Sequence, residues 1–246
     1  MRILVDLGGT LAGLALLVSP LRADDRAAAQ AVIERAIKAH GGAEGLAKAQ
    51  TVRRTGNGTI SVGGSELPFT DEQVAQLPDR LRVTVEIDKR TRLTIAINGA
   101  KGWQSTGGAT VELPKERLDE LREEAYAAWL TTLVPLTKGS FDVAVLPETK
   151  VSDRPALGIK ATSKGHEEAR LYFDKESGLL VKLERPTKEA GLAVTKDYVY
   201  SDFKDFTGVK LPTRQVLTLN GTKFSELTVT EYKFLTKVDE STFTKP

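Results

Sequence analysis

Leu211 to Tyr232 constrains this chain more than any other stretch. Two β-rich runs, LPTRQVLTLN and TKFSELTVTEY, meet at Asn220-Gly221. Asn-Gly tolerates the positive φ angles of a type I′ turn, whose twist matches a two-residue hairpin. Just upstream, ARLYF and LLVKLE flank Asp174-Lys175-Glu176-Ser177-Gly178, a looser hairpin loop closed by a glycine. Leu192 to Phe203 reads as one more strand, turned by Phe206-Thr207-Gly208-Val209. The second half of the chain is therefore an antiparallel meander, and the first half must pair with it or cover it.

The first half supplies both. Asp24 to His40 carries Ala29, Val32, Ile33, Ala36, Ile37 and His40 at helical spacing and ends at Gly41-Gly42. Ala43 to Ala49 is expected as a second short helix, offering Leu46 to the same side. Neither is long enough to stand alone in water, so both must dock on the sheet. Thr51 to Val62 reads as a strand whose glycines, Gly56 and Gly58 among them, signal a bulge or close backbone approach. Ser65 to Gln76, with Pro68 and Phe69, reads as a connection. Asp79 to Asp88 alternates cleanly, with Leu81, Val83, Val85 and Ile87 on one side; Leu93, Ile95 and Ile97 continue the pattern to Asn98-Gly99, a second hairpin signal.

The sheet is then interrupted. Pro114 suits the first position of a helix, along which Leu118, Leu121, Ala125, Ala128, Trp129, Thr132 and Leu133 share a face, with Pro135 as the stop. Glu116, Asp119, Glu120, Glu123 and Glu124 fall mostly on the other face. Strands resume at Phe141 to Leu146 and Ala156 to Thr162. In the last strand Leu227 and Val229 have one parity, Tyr232 and Phe234 the other. A single regular strand cannot bury both pairs on one side, so either a bulge falls near Thr230 or both faces are covered there.

The chain begins with Met1-Arg2, an apolar run from Leu7 to Val18, Pro20, and Leu21-Arg22-Ala23 before Asp24-Asp25. This is the layout of a secretory signal peptide, residues 1–23, followed by a single domain over 24–246. The run is about a dozen residues, short of the roughly 20 a spanning helix needs. There is no cysteine among the 246 residues, which excludes a lipid-modified N-terminal cysteine, thiol catalysis and zinc–thiolate sites. A net charge of only +2 gives no reason to expect nucleic acid as a partner.

No catalytic motif emerges, and neither a cofactor nor a metal is expected. His40 and His166 are the only imidazoles, one at a helix end and one in a polar loop. Asp202 and Asp205, after Tyr200, read as a solvated turn. Trp103, Tyr126 and Trp129 cluster around the central interruption, where they serve either as ordinary core or as the lining of an apolar cavity beneath the helix.

The order of parts is recognisable. A helix ending in Gly-Gly precedes a Gly-rich strand. Leu77-Pro78-Asp79-Arg80-Leu81-Arg82, Asn98-Gly99-Ala100-Lys101-Gly102-Trp103 and a central helix follow. The meander then holds Leu171-Tyr172-Phe173-Asp174, Gly178-Leu179-Leu180-Val181, Tyr200-Ser201-Asp202-Phe203 and Gly208-Val209-Lys210-Leu211-Pro212. This resembles the outer-membrane lipoprotein-sorting, or lipoprotein-carrier (LolA-like), superfamily over nearly the whole of the chain after the leader. The resemblance implies an α+β fold, mainly β: one curved antiparallel sheet forming an incomplete barrel, with the N-terminal and central helices across its concave face. It implies a cavity for a lipid or a lipoprotein acyl chain, with Leu118, Leu121, Ala125, Trp129 and Leu133 opposite Val83, Val85, Ile95 and Trp103. It departs at Leu77, where such carriers place an arginine.

Three readings follow. The first is a non-enzymatic periplasmic or secreted binding protein whose partner is a lipid or acyl chain, in envelope transport. The second is a structural or interaction module of the cell envelope, its barrel filled by its own side chains and its partners other envelope proteins. The third is a hydrolase using acids on an open rim.

Overall fold

The computed structural model describes residues 21–189 and 191–246. The expected leader lies outside the described residues as far as residue 20, and Leu21–Ala23 open the first helix.

The described residues form three α-helices and 13 strands. Helix α1 (Leu21–Ala39) starts three residues before the expected Asp24, and α2 (Ala43–Lys48) follows it. The first meander comprises β1 (Thr51–Val62), β2 (Ser65–Gln76), β3 (Arg80–Ile87), β4 (Thr91–Asn98), β5 (Lys101–Thr106) and β6 (Ala109–Glu112). Helix α3 (Lys115–Leu130) separates it from the second, made of β7 (Asp142–Val151), β8 (Arg154–Thr162), β9 (Ala169–Asp174), β10 (Leu180–Glu189), β11 (Leu192–Phe206), β12 (Val209–Leu219) and β13 (Thr222–Phe234). All 13 strands form one antiparallel sheet in the order β6-β5-β4-β3-β2-β1-β13-β12-β11-β10-β9-β8-β7. Each meander pairs only neighbours in sequence, and the β1–β13 seam joins the two. The sheet curves but does not close, and α3 carries the chain from one free edge, β6, to the other, β7.

The hairpin at Asn220-Gly221 forms as expected. Leu219 pairs with Thr222, and the two turn residues have φ of 50° and 79°. Of the two alternatives for the last strand, a bulge near Thr230 or cover on both faces, the bulge is present. Thr55 pairs with Glu231 while Gly56 pairs with Val229, leaving Thr230 without a register partner. This extra residue brings Leu227, Val229, Tyr232 and Phe234 to the same face. Opposite them, Gly56 and Gly58 let the seam close. A β-carbon on Gly58 would lie 1.8 Å from the Glu226 carbonyl oxygen, and one on Gly56 would lie 2.6 Å from that of Thr228. Gly58→Ala is expected to cost about 1–3 kcal/mol by forcing β1 off β13. Gly139→Ala, where a β-carbon meets nothing within 4 Å, should change stability by less than about 0.5 kcal/mol. Urea unfolding of the two variants checks the contrast.

Three expectations are corrected. Ser65–Gln76 is not a connection but the full-length strand β2, paired with β1 from Thr51↔Gln76 to Val62↔Ser65. Pro68 is tolerated there. Its carbonyl accepts from Asp88 N–H at 2.8 Å, so its missing donor points toward β3, whose pairing with β2 has already ended at Ile87↔Phe69. The chain forms one more short strand, β6, before α3. Pro135 does not stop α3, which ends at Leu130; Leu133 takes φ 60° and Pro135 sits in a separate 3₁₀ turn, Val134–Thr137.

Two apolar clusters fill most of the concave side. One joins α1 (Ile33, Ala36), the end of α3 (Leu130) and Leu133 to Ile159, Leu171 and Leu183 of the second meander. The other joins Leu118, Leu121 and Ala125 of α3 to Val52, Ala75, Leu81 and Ile97 of the first.

Candidate functional site

Between the two clusters the packing fails, leaving a cavity of about 350 Å³. Its walls come from the concave strands, α2 and the inner face of α3. Leu77, Leu81, Val83, Ile95 and Ile97 line one side, Leu180, Leu183 and Leu211 the other, with Leu46 and Leu121 contributed by the helices. The volume lies near the small end of the roughly 300–1,000 Å³ typical of small-molecule sites, and the lining is mostly apolar with a few convergent polar groups.

Of the residues expected to line such a space, Val83, Ile95 and Leu121 stand on its wall. Leu118, Ala125 and Leu133 are packed into the clusters beside it. Val85 is on the concave face, paired with Asp71 and Leu93, but beyond the cavity wall. Trp129 lines a second, more acidic cleft with Tyr126, Phe141 and His166. There the Tyr126 and His166 rings stack with centroids 3.6 Å apart, and His166 Nδ1 lies 2.7 Å from Glu123 Oε1. Trp103 is on the opposite face of the sheet. It pairs with Ala96, and Ala96 with Arg82, whereas Ile95 and Val83 pair with each other in the neighbouring row. Residues directly opposite in an antiparallel ladder share a face, and successive residues alternate.

A buried ionic cluster holds α3 over the cavity. Glu124, expected with the outward acids, turns inward instead. Its Oε1 meets the guanidinium of Arg185 and the Lys196 ammonium (2.7 Å), and its Oε2 accepts from the Tyr198 hydroxyl at 2.7 Å. The Arg185 and Lys196 side chains are 3% and 7% exposed, so these charges lie out of water and depend on one another. Burial pushes the Glu124 carboxyl up, but Arg185 and Lys196 outweigh it and hold it below the usual carboxylate range. Arg117 and Glu120 extend the tie to Glu189 of β10 and the Gly191 N–H. No pattern of apolar spacing could have revealed this, because each partner is polar and distant in sequence.

His40 closes the α1 side. Its Nδ1 lies 2.6 Å from the Lys210 carbonyl oxygen, and the Leu180 N–H donates to its Nε2 at 3.0 Å. These partners fix a neutral ring that donates from Nδ1 and accepts at Nε2. Burial lowers its pKa, and although the Lys210 carbonyl opposes this, the net shift stays below the ordinary 6.5. The unfolded chain therefore takes up a proton first. The stability that depends on a neutral His40 is complete above pH 6.5 and is lost as pH falls below it toward the lower folded value. Urea unfolding between about pH 7 and about pH 5 should show this fall, and His40→Gln should flatten it.

The described residues thus form an open half-barrel with a lidded apolar cavity. No family model matches the chain, and no curated protein matches it in sequence. Solved structures do match it in fold. A putative outer membrane lipoprotein-sorting protein domain from Vibrio parahaemolyticus superposes with a TM-score of 0.50 at 12% identity, covering 86% of this chain and 97% of that one. A LolA superfamily protein from Nitrosomonas europaea gives 0.53 at 14%, covering 88% and 97%. A DUF1329 family protein from Desulfovibrio piger gives 0.53 at 12%, also covering 88% and 97%. At these identities the likeness is one of fold.

Proposed function

We propose that this chain is an exported, non-enzymatic binding protein that shelters a lipid or acyl chain between its curved sheet and α3, as a carrier within the cell envelope. The observation that carries the reading is the apolar cavity between Leu121 on the helix and Val83 and Ile95 on the strands. Enclosing an acyl chain there is favourable by about 0.8 kcal/mol per methylene, so the site needs no elaborate motif. The likeness of fold to a lipoprotein-sorting domain supports the same reading, as does the signal-like leader at residues 1–23. A barrel filled entirely by its own side chains, as a structural module would have, does not account for the space.

Leu121→Trp, which places an indole in that space, provides the test. The wild-type protein, purified gently from an envelope-containing lysate, is expected to yield acyl lipid on organic extraction and mass spectrometry. The variant, melting within a few degrees of wild type, should yield little. Equal lipid in both, or none in either, would overturn the proposal.

A further inference from the structure

The cavity is not uniformly apolar, and its polar groups are short of partners. Gln73, Arg54 and Tyr232 are register partners across β2, β1 and β13, while Tyr200 and Gln215 are partners on β11 and β12, so these five form a broken polar strip of two separate rows on the central strands of the sheet. All five line the cavity. Tyr232 donates to the Pro212 carbonyl at 2.9 Å, and Arg54 Nη2 donates to Asp71 at 2.8 Å. The rest is unmatched. Among the described residues the hydroxyl of Tyr200, a residue 9% exposed, has no hydrogen-bond partner, nor do the side-chain amides of Gln73 and Gln215. Arg54 uses only Nη2, and its Nε is buried without a partner.

A buried donor left unpaired is rare and costly, and Arg54 Nε is one; the open Tyr200 hydroxyl and the half-buried amides of Gln73 and Gln215 line the same cavity, where a ligand can pair with all of them. The unmatched groups are mainly donors. Burial raises the Tyr200 pKa, keeping its hydroxyl protonated. Arg54 is already balanced in charge by Asp71, so the strip is suited to an oxygen acceptor and does not demand a full negative charge.

Resting on the acyl-chain reading above, we infer that the ligand is a free single-chain amphiphile whose carboxyl-type head, acid or ester, is held inside the cavity by Tyr200, Gln73, Gln215 and Arg54. Its hydrocarbon chain lies along Val83, Ile95 and Leu121. The head is enclosed rather than left outside, and the volume suits one small ligand. A long-chain acid and a monoacylglycerol offer the same oxygens and differ in charge.

The test compares three ligands on the whole protein: palmitate, 1-palmitoylglycerol and the headless apolar fluorophore N-phenyl-1-naphthylamine. Direct fluorophore titration and its displacement give all three affinities. The wild type is expected to prefer one or both palmitoyl ligands, and the one preferred identifies the acid or the ester. Tyr200→Phe removes a single oxygen without changing shape. It should lower the preference for the palmitoyl ligand over the fluorophore by about fivefold to tenfold. The double variant Gln73→Leu, Gln215→Leu should lower it further. If the fluorophore binds but neither substitution changes that preference, the head site is wrong while the apolar cavity stands. If neither the fluorophore nor the palmitoyl ligands bind the wild type, the acyl-chain reading fails with it.

Discussion

Glu124→Ala is expected to destabilise the protein by about 3–5 kcal/mol, because it strands the buried Arg185 guanidinium without a carboxylate and takes one of two from Lys196. Arg185 and Lys196 are nearly inaccessible, and Glu124 is the carboxylate that both contact. Removing it leaves Lys196 with Glu189 alone and Arg185 with the Thr187 hydroxyl. The loss should also free α3, since Glu124 is where the helix enters the interior between β10 and β11. Glu124→Gln keeps the shape and an acceptor for Tyr198, so it should cost less than the alanine. The ionic contribution has a defined pH window. The folded carboxyl sits below its ordinary value of 4.5, so the stabilisation is full above that value and is lost as pH falls through the lower folded one. Urea unfolding near neutral pH and in mild acid measures both effects. A change below about 1 kcal/mol for the alanine variant would show that the cluster does not hold the helix.

A comparable loss is expected at the other end of the chain. Phe243, in the 3₁₀ turn Glu240–Phe243, is fully buried. The turn lies against β3 and β4 on the convex side. There the Arg82 guanidinium donates to the Thr242 carbonyl at 3.2 Å, and Arg80 lies 3.8 Å from Glu240. Ala96 and Thr94, which face away from the cavity, are buried on that side. The segment is therefore a clasp on the outside of the first meander. Phe243→Ala should cost about 3–5 kcal/mol, the usual range for emptying a fully buried aromatic site. Phe243→Leu should cost clearly less, which distinguishes a packing role from a backbone one. Equal losses in both would point to the backbone contacts of Thr242 instead.

The strands were legible where side chains alternate and turns carry their own chemistry. β3, β4 and the Asn220-Gly221 hairpin are the clearest cases, and the parity conflict at Tyr232 located the Thr230 bulge. β2 was not legible, because SELPFTDEQVAQ lacks alternation and contains a proline, and only the register shows that the proline displaces no ladder bond. The misplacement of Trp103 has a simple physical origin. A two-residue turn pairs odd-numbered residues with even-numbered ones, so Trp103 had to share a face with Ala96 and not with Ile95. A cavity was implied only by the resemblance in the order of parts, and of the nine side chains named for it Val83, Ile95 and Leu121 stand on its wall. Its polar strip and the inward Glu124 were not legible, because both are assembled from residues far apart in the chain. Leu77, where the resemblance implies an arginine, lines the cavity as an apolar wall.

The central claim is that a chain-like guest occupies the space between α3 and strands β3 and β4. Photocrosslinking with a long-chain fatty acid bearing a diazirine near its methyl end, followed by peptide mapping, tests it most directly. The account predicts label on the peptides that carry Val83, Ile95 and Leu121, reduced by excess unlabelled acid. Label confined to the convex face around Trp103 or to the cleft at Trp129, with none on those three, would contradict it.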